Sequence, residues 1–155
     1  MAKTMRAAVV HEFGKPLNIE EVFIPKREPG GPDQSDRERG APASTRGPER
    51  LASQACAPLI PGHEGVGIVV AVGPGVTRFK EGDAAGVAWL HDSCGWCEYC
   101  RTGWDARCPA QRNSGYTVHG SFAEHVIGSA PYIGRLPKNP DFVAMAPILC
   151  AGVTT

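Results

Sequence analysis

Cys94-Gly95-Trp96-Cys97-Glu98-Tyr99-Cys100, closed by Cys108, decides how this chain is read. The spacing is C-x2-C-x2-C-x7-C. Four thiols in one short loop can meet at a single tetrahedral point, and Zn²⁺ favours such a closed all-sulfur shell with no open position for substrate. Gly95 and Gly103 let the backbone turn the thiols inward. Two disulfides, or four unrelated thiols, are the alternatives. The opening Met1-Ala2-Lys3-Thr4 has no apolar run of signal-peptide length behind it. A reducing compartment, the cytoplasm, is therefore expected, and close-set cysteines there favour metal over disulfide.

The bulk composition narrows the class. The chain has 155 residues, long enough for one domain with a real core. Lys and Arg number 16, balanced by 16 Asp and Glu. With no basic stripe, nucleic acid is not an expected partner. No apolar run approaches membrane-spanning length, so no membrane partner is expected either. Nineteen Gly and 14 Pro against 7% aromatics favour strands and turns over a helix bundle.

Taken in order, Met5–Val10 is a short apolar run and His11–Pro16 a turn. Leu17–Val22 alternates apolar and polar residues, so a hairpin is predicted. His11 reads as a solvated turn residue. From Arg27 to about Ala57 the chain is polar and rich in Pro and Gly, broken only by Leu51. Such a stretch buries too little surface to offset its ordering entropy, and disorder is expected. Order returns at Leu59. A β-branched strand is predicted up to Gly73-Pro74-Gly75, and glycines in its first half suggest a close backbone or metal. Ala84–Leu90 and Gly120–Ile127 read as further strands, and Tyr132–Pro137 as a short one. Residues 141–147 have helix character, with Asn139 or Asp141 placed as the cap.

Outside the cysteine loop the residues are individually ambiguous. His63-Glu64 suits a metal ligand with a carboxylate partner, or a general base with its orienter, or a plain surface pair. Cys150 alone reads as a buried small hydrophobe. Cys56 reads as a bystander, and His91, His119 and His125 as core or surface filler.

Together these pieces resemble the zinc-dependent medium-chain alcohol dehydrogenases, close to the bacterial propanol-preferring type. Gly62-His63-Glu64-x-x-Gly67 with Gly73 and Val76 is similar to that family's zinc motif. Met5–Val10 with Gly14-Lys15-Pro16-Leu17 resembles its opening hairpin, and the four cysteines its structural-zinc lobe. Gly115–Val118, Gly120–Glu124 and Ala146–Thr154 resemble the runs that follow. Only Arg27 to about Pro58 falls outside the likeness.

The resemblance implies a mainly β fold, a GroES-like partly open β-barrel with a structural-zinc lobe, lacking the Rossmann domain. It divides the chain into an N-terminal hairpin (1–26), an aberrant polar segment (27–58), the GroES-like catalytic domain (59–145, zinc lobe 91–112), and the start of a linker to a cofactor domain (146–155). It implies structural zinc on Cys94, Cys97, Cys100 and Cys108. It assigns His63 and Cys150 to a catalytic zinc, with Glu64 as the acidic residue beside it. The implied activity is oxidation of primary alcohols to aldehydes, with the alcohol on the metal's open position and hydride passing to NAD. The intact family forms homo-oligomers, which is not expected of this chain.

Two departures from the family pattern lead to the expectation of an incomplete catalytic set and no turnover by the chain alone. The motif supplying the third protein ligand is absent, Cys56 standing too close to His63 to replace it. No G-x-G-x-x-G follows Thr154. Strands lost to the polar segment would leave sheet edges and apolar faces open, so low solubility is expected. Two other readings remain open: a zinc-stabilised, non-catalytic binding module, and a quinone oxidoreductase or other reductase of the same superfamily.

The polar segment has a candidate origin in the reading frame. Arg50–Ala55 can be written CGA CTG GCC AGT CAA GCC, followed by the T of Cys56. Read one nucleotide later, that string encodes Asp-Trp-Pro-Val-Lys-Pro, close to what the family carries before Gly-His-Glu. Residues from near Arg27 to Ala57 are thus expected to be translated out of frame. The coding DNA checks this: a shifted frame should restore a Cys-His-Thr type motif, and its absence from every frame sinks the idea.

Overall fold

The strand Thr4–Val9 (β1) shows how this sequence makes its core. Its side chains alternate, so Met5, Ala7 and Val9 point inward together and are buried. They cluster with Ile60, and Val22, Ile24 and Ala123 pack against them. The computed structural model describes residues 3–25 and 57–154. The disorder expected of 27–58 and the reading of Cys56 therefore fall almost wholly outside the described residues.

β1 is hydrogen-bonded along both edges. On one side Asn18–Phe23 (β2) runs antiparallel, Thr4 opposite Phe23 and Val9 opposite Asn18, which is the expected hairpin. On the other side the Ala8 N–H donates to the Phe122 carbonyl (2.8 Å) and the Glu124 N–H to the Arg6 carbonyl (3.1 Å). Val10 and Leu59 exchange both backbone bonds. The Glu124 carboxylate accepts from the Arg6 backbone N–H (2.9 Å) and the Arg6 guanidinium (3.2 Å). Those donors, the backbone N–H first, hold its carboxyl below the usual range.

A second sheet has the order β3 (Gly65–Ile68), β4 (Ala84–Val87), β7 (Gly134–Arg135), all antiparallel. A third pairs β5 (Leu90–Asp92) with β6 (Arg112–Asn113), with a bulge at His91. The fold is mainly β, in small open sheets, as expected. Several strands are shorter than the sequence suggests. The expected strand up to Gly73 ends at Ile68, because Val69 spends its N–H and carbonyl on the turn at Gly82-Asp83. Ala84–Leu90 breaks at Ala88-Trp89, where the chain leaves one sheet for the next. Gly120–Ile127 forms no named strand; only Ala123 bridges to Ala7. Tyr132 closes a 3-10 turn, Ala130–Tyr132, ahead of β7. Asp141 does cap the helical turn Phe142–Met145, its side chain accepting from the N–H groups of Val143 (3.0 Å) and Ala144 (3.1 Å).

Where the body of the domain meets the run before β3, two backbones cross with no side chains between them. The Gly120 N–H donates to the Ile60 carbonyl (2.6 Å), Phe122 N–H to Pro61 (2.9 Å) and Ser121 N–H to Gly62 (3.0 Å). A methyl on Gly120 would lie 2.1 Å from the Gly62 carbonyl oxygen, and one on Gly115 would lie 2.5 Å from the Gly62 nitrogen. Gly62 itself holds φ +98, a conformation that other residues rarely take.

Gly120→Ala is expected to lower stability by about 2 kcal/mol, because the obstructing atoms are backbone and cannot swing away. A urea midpoint with unchanged slope reads this. Gly67→Ala has open space around the added methyl and is expected to stay within about 0.5 kcal/mol of the parent. Equal midpoints for the two variants would contradict the crossing. Glu124→Gln is expected to destabilise the fold at neutral pH. The lowered carboxyl contributes fully above the ordinary carboxylate range, so the difference from the parent should narrow as pH falls through it.

Candidate functional site

The cysteine loop places its sulfurs as the spacing implies. Cys94, Cys97, Cys100 and Cys108 have Sγ atoms all within 4.8 Å of one another. Cys94 and Cys100 sulfurs are 3.8 Å apart, and Cys97 and Cys100 sulfurs 3.4 Å. Four bonds of about 2.3 Å to one Zn²⁺ require sulfurs about 3.8 Å apart at the corners of a tetrahedron. A disulfide needs about 2.05 Å, and none of the five described cysteines is in one. The donor set fits structural zinc.

Local structure explains the convergence. Gly95 takes φ +76 at the first turn, and the helical turn Glu98–Arg101 carries Cys100 back over Cys97. Gly103 (φ +81) and the 3-10 turn Asp105–Arg107 bring Cys108 in from beneath. Backbone N–H groups of Cys97 and Ala110 point at the sulfurs of Cys94 and Cys108, both at 3.4 Å, and suit thiolates. Cys108 is fully buried, which pushes its thiol up to about 12. Zn²⁺ binding there must release that proton.

Three residues that the sequence reading passed over surround the sulfurs. Ser93 Oγ lies 3.1 Å from Cys100 Sγ, 2.8 Å from Asp105 Oδ1 and 2.6 Å from the Tyr132 hydroxyl. The Tyr132 hydroxyl donates to Asp105 Oδ1 at 3.0 Å. Ser93 and Asp105 could have been suspected from their place among the cysteines. Tyr132 lies on a separate turn and leaves no trace in the spacing. At the foot of the lobe Arg112 Nε holds both oxygens of buried Asp92 (2.9 and 3.1 Å). His91 beside them is kept neutral by burial, which lowers its pKa. Trp96 and Trp104 stand out from the lobe, 64% and 60% exposed, and the Arg107 guanidinium lies 5.1 Å from the Trp104 ring.

His63 and Glu64 sit just before β3, at the wall of a cleft of about 500 Å³. Ser121 and Phe122 form part of the lining, and Ala146 and Pro147 another part. That volume suits a small organic molecule. The Trp89 ring meets the His63 ring edge-on, centroids 5.2 Å apart, and Tyr116 lies 5.8 Å beyond Trp89. Cys150 is half-buried after the 3-10 turn Pro147–Leu149, whose Leu149 packs over Gly86. Among the described residues the four cysteines are the one group of three or more His, Cys, Asp or Glu side chains close enough to share an ion. His63, Glu64 and Cys150 lie outside that group. His119 accepts the Ile60 N–H on Nδ1 (3.2 Å), a structural use.

Residues 38–138 match the alcohol dehydrogenase GroES-like domain, a match that begins inside the polar stretch. An alcohol dehydrogenase of Rhizobium meliloti is 48% identical over 160 aligned residues, covering 97% of this chain and 45% of the relative. One from a Moraxella species is 47% identical over 154, with the same coverage. Among solved structures, the alcohol dehydrogenase of the archaeon Aeropyrum pernix has a TM-score of 0.73 at 32% identity, covering 96% of this chain and 45% of that one. The cinnamyl alcohol dehydrogenase of Sorghum bicolor has 0.72 at 30%, covering 98% and 46%. No helix among the described residues is long and apolar enough to cross a membrane. The chain spans a little under half the length of the relatives it matches. On these likenesses, the four-sulfur lobe and the open sheets around the cleft, the chain belongs to the alcohol dehydrogenase family and carries its GroES-like domain.

Proposed function

We propose that these residues form the substrate-side part of a cytoplasmic, zinc-dependent enzyme that oxidises primary alcohols to aldehydes with NAD. One observation carries the reading: curated alcohol dehydrogenases align with 97% of the chain at 47–48% identity. In this reading the cleft beside His63 receives the alcohol. Trp89 and Phe122 supply apolar surface at that end, and Glu64 supplies a carboxylate close by. His63 and Cys150 are assigned to the metal that activates the alcohol in the complete site. The cysteine lobe takes no part in the chemistry and braces the domain.

We further propose that a polypeptide of these 155 residues alone does not turn over alcohol. The relatives are more than twice the length matched here, since this chain covers 45% of each.

Metal analysis and an activity assay test both parts. The polypeptide is expected to bind one zinc per chain, to lose it in Cys108→Ser, and to keep it in His63→Ala. With zinc, NAD and ethanol or propanol it should form no NADH. Two zinc ions, one of them lost in His63→Ala, or sustained NADH formation, would overturn the inactive reading. For the alcohol reading, residues 27–58 can be replaced by the Rhizobium meliloti counterpart and the rest of that relative appended. This chimaera should bind two zinc ions and reduce NAD with ethanol or propanol. A chimaera that binds both ions yet oxidises no alcohol would refute it.

A further inference from the structure

We propose that Tyr132 and Asp105 are positioning residues for the lobe's metal, acting through the hydroxyl of Ser93 on Cys100. The proposal rests on the four-cysteine zinc site and goes beyond it.

The reasoning is a count of hydrogens. Ser93 and Tyr132 each carry one hydroxyl hydrogen, and ionised Asp105 only accepts. All three oxygens lie within 3.0 Å of one another, and Cys100 Sγ lies 3.1 Å from Ser93 Oγ. With Tyr132 donating to Asp105, the Ser93 hydrogen has three acceptors in reach, Asp105, Cys100 and the Tyr132 oxygen itself. In a zinc-bound lobe Cys100 is a thiolate, and because Tyr132 already donates to Asp105 Oδ1 the Ser93 hydrogen is left for the sulfur. The Ser93 hydrogen then turns to sulfur, and Asp105 still keeps the hydrogen bond from Tyr132. Without the tyrosine hydroxyl, Ser93 has to serve either the carboxylate or the thiolate.

The second consequence concerns which parts of the fold are linked. Ser93, Cys100 and Asp105 belong to the lobe, whereas Tyr132 closes the turn Ala130–Tyr132 that leads into β7 of the central sheet. Metal retention in the lobe thus depends on a hydroxyl supplied by the body of the domain. The phenol is only partly buried, so its ring alone is a modest packing element, and removing the oxygen isolates the hydrogen bond.

The test uses the whole chain loaded with zinc or cobalt(II). Zinc transfer to the chromogenic chelator 4-(2-pyridylazo)resorcinol is expected to be about tenfold faster in Ser93→Ala, in line with losses seen when partners of metal ligands are removed. It should also speed up in Tyr132→Phe and return toward the parent rate in Ser93→Thr. In the cobalt form the sulfur-to-metal charge-transfer band should move to longer wavelength in Ser93→Ala and, less far, in Tyr132→Phe, because an undonated thiolate is more electron-rich. Iodoacetamide should label Cys100 faster in these variants while Cys94 keeps its parent rate. A parent chain that takes up no cobalt overturns the metal site and this proposal together. A parent that binds cobalt, with band and Cys100 labelling unmoved in Tyr132→Phe, overturns this proposal alone, whatever Ser93→Ala does, and leaves the tyrosine as packing.

Discussion

The position of the cleft depends on a close crossing of two backbones. Where Pro61-Gly62 passes Gly115 and Gly120, the chains touch main chain to main chain, three N–H groups of the 120–122 run donating to carbonyls of 60–62. Any side chain at the crossing would push the runs apart. Both flanks of the crossing matter to function. His63 and Glu64 follow Gly62 directly, and Ser121 and Phe122 follow Gly120, so one contact sets two walls of the same cleft. The run then continues to Ala123 and Glu124 along the edge of β1 opposite β2, which ties the cleft to the main core.

The cysteine lobe solves a different problem. It projects from short strands that bury few side chains: β5 has three residues and β6 two. A loop with so little apolar surface cannot hold itself by packing. Four sulfurs converging on one point supply the missing cohesion, and buried Asp92 with Arg112 anchors the base. That anchor is a commitment, because removing Arg112 takes the cation from the buried Asp92 carboxylate.

Much of this was legible in the residues. The cysteine spacing announced the lobe, the apolar-polar alternation of 17–22 announced the hairpin, and Asp141 announced its helical turn. The glycines in the first half of the expected strand point to a close backbone or metal, but what comes close is side chain: Ser121 at Gly65, and Phe122 and Ser121 at Gly62, while Gly67 has open space around it. Local pattern failed where partners are distant in sequence. Val69–Val72 has strand composition, yet strand pairing stops at Ile68 because the facing chain turns at Gly82-Asp83. Gly120–Ile127 alternates like a strand but spends its bonds on the 60–62 crossing and the β1 edge. Ser93, Asp105 and Tyr132 carry no motif, since their relation exists only after folding.

The placement of the tryptophans has an optical consequence. The chain contains three, and Trp89, Trp96 and Trp104 are 43%, 64% and 60% exposed. Indoles this wet already emit near the red end of their range in the native state, so unfolding should change intensity more than colour. Among the described residues Trp89 is the tryptophan with an imidazole against its ring, that of His63. Its quantum yield should therefore follow what binds against that imidazole, a built-in lamp at the cleft wall while the two lobe indoles supply a steady background.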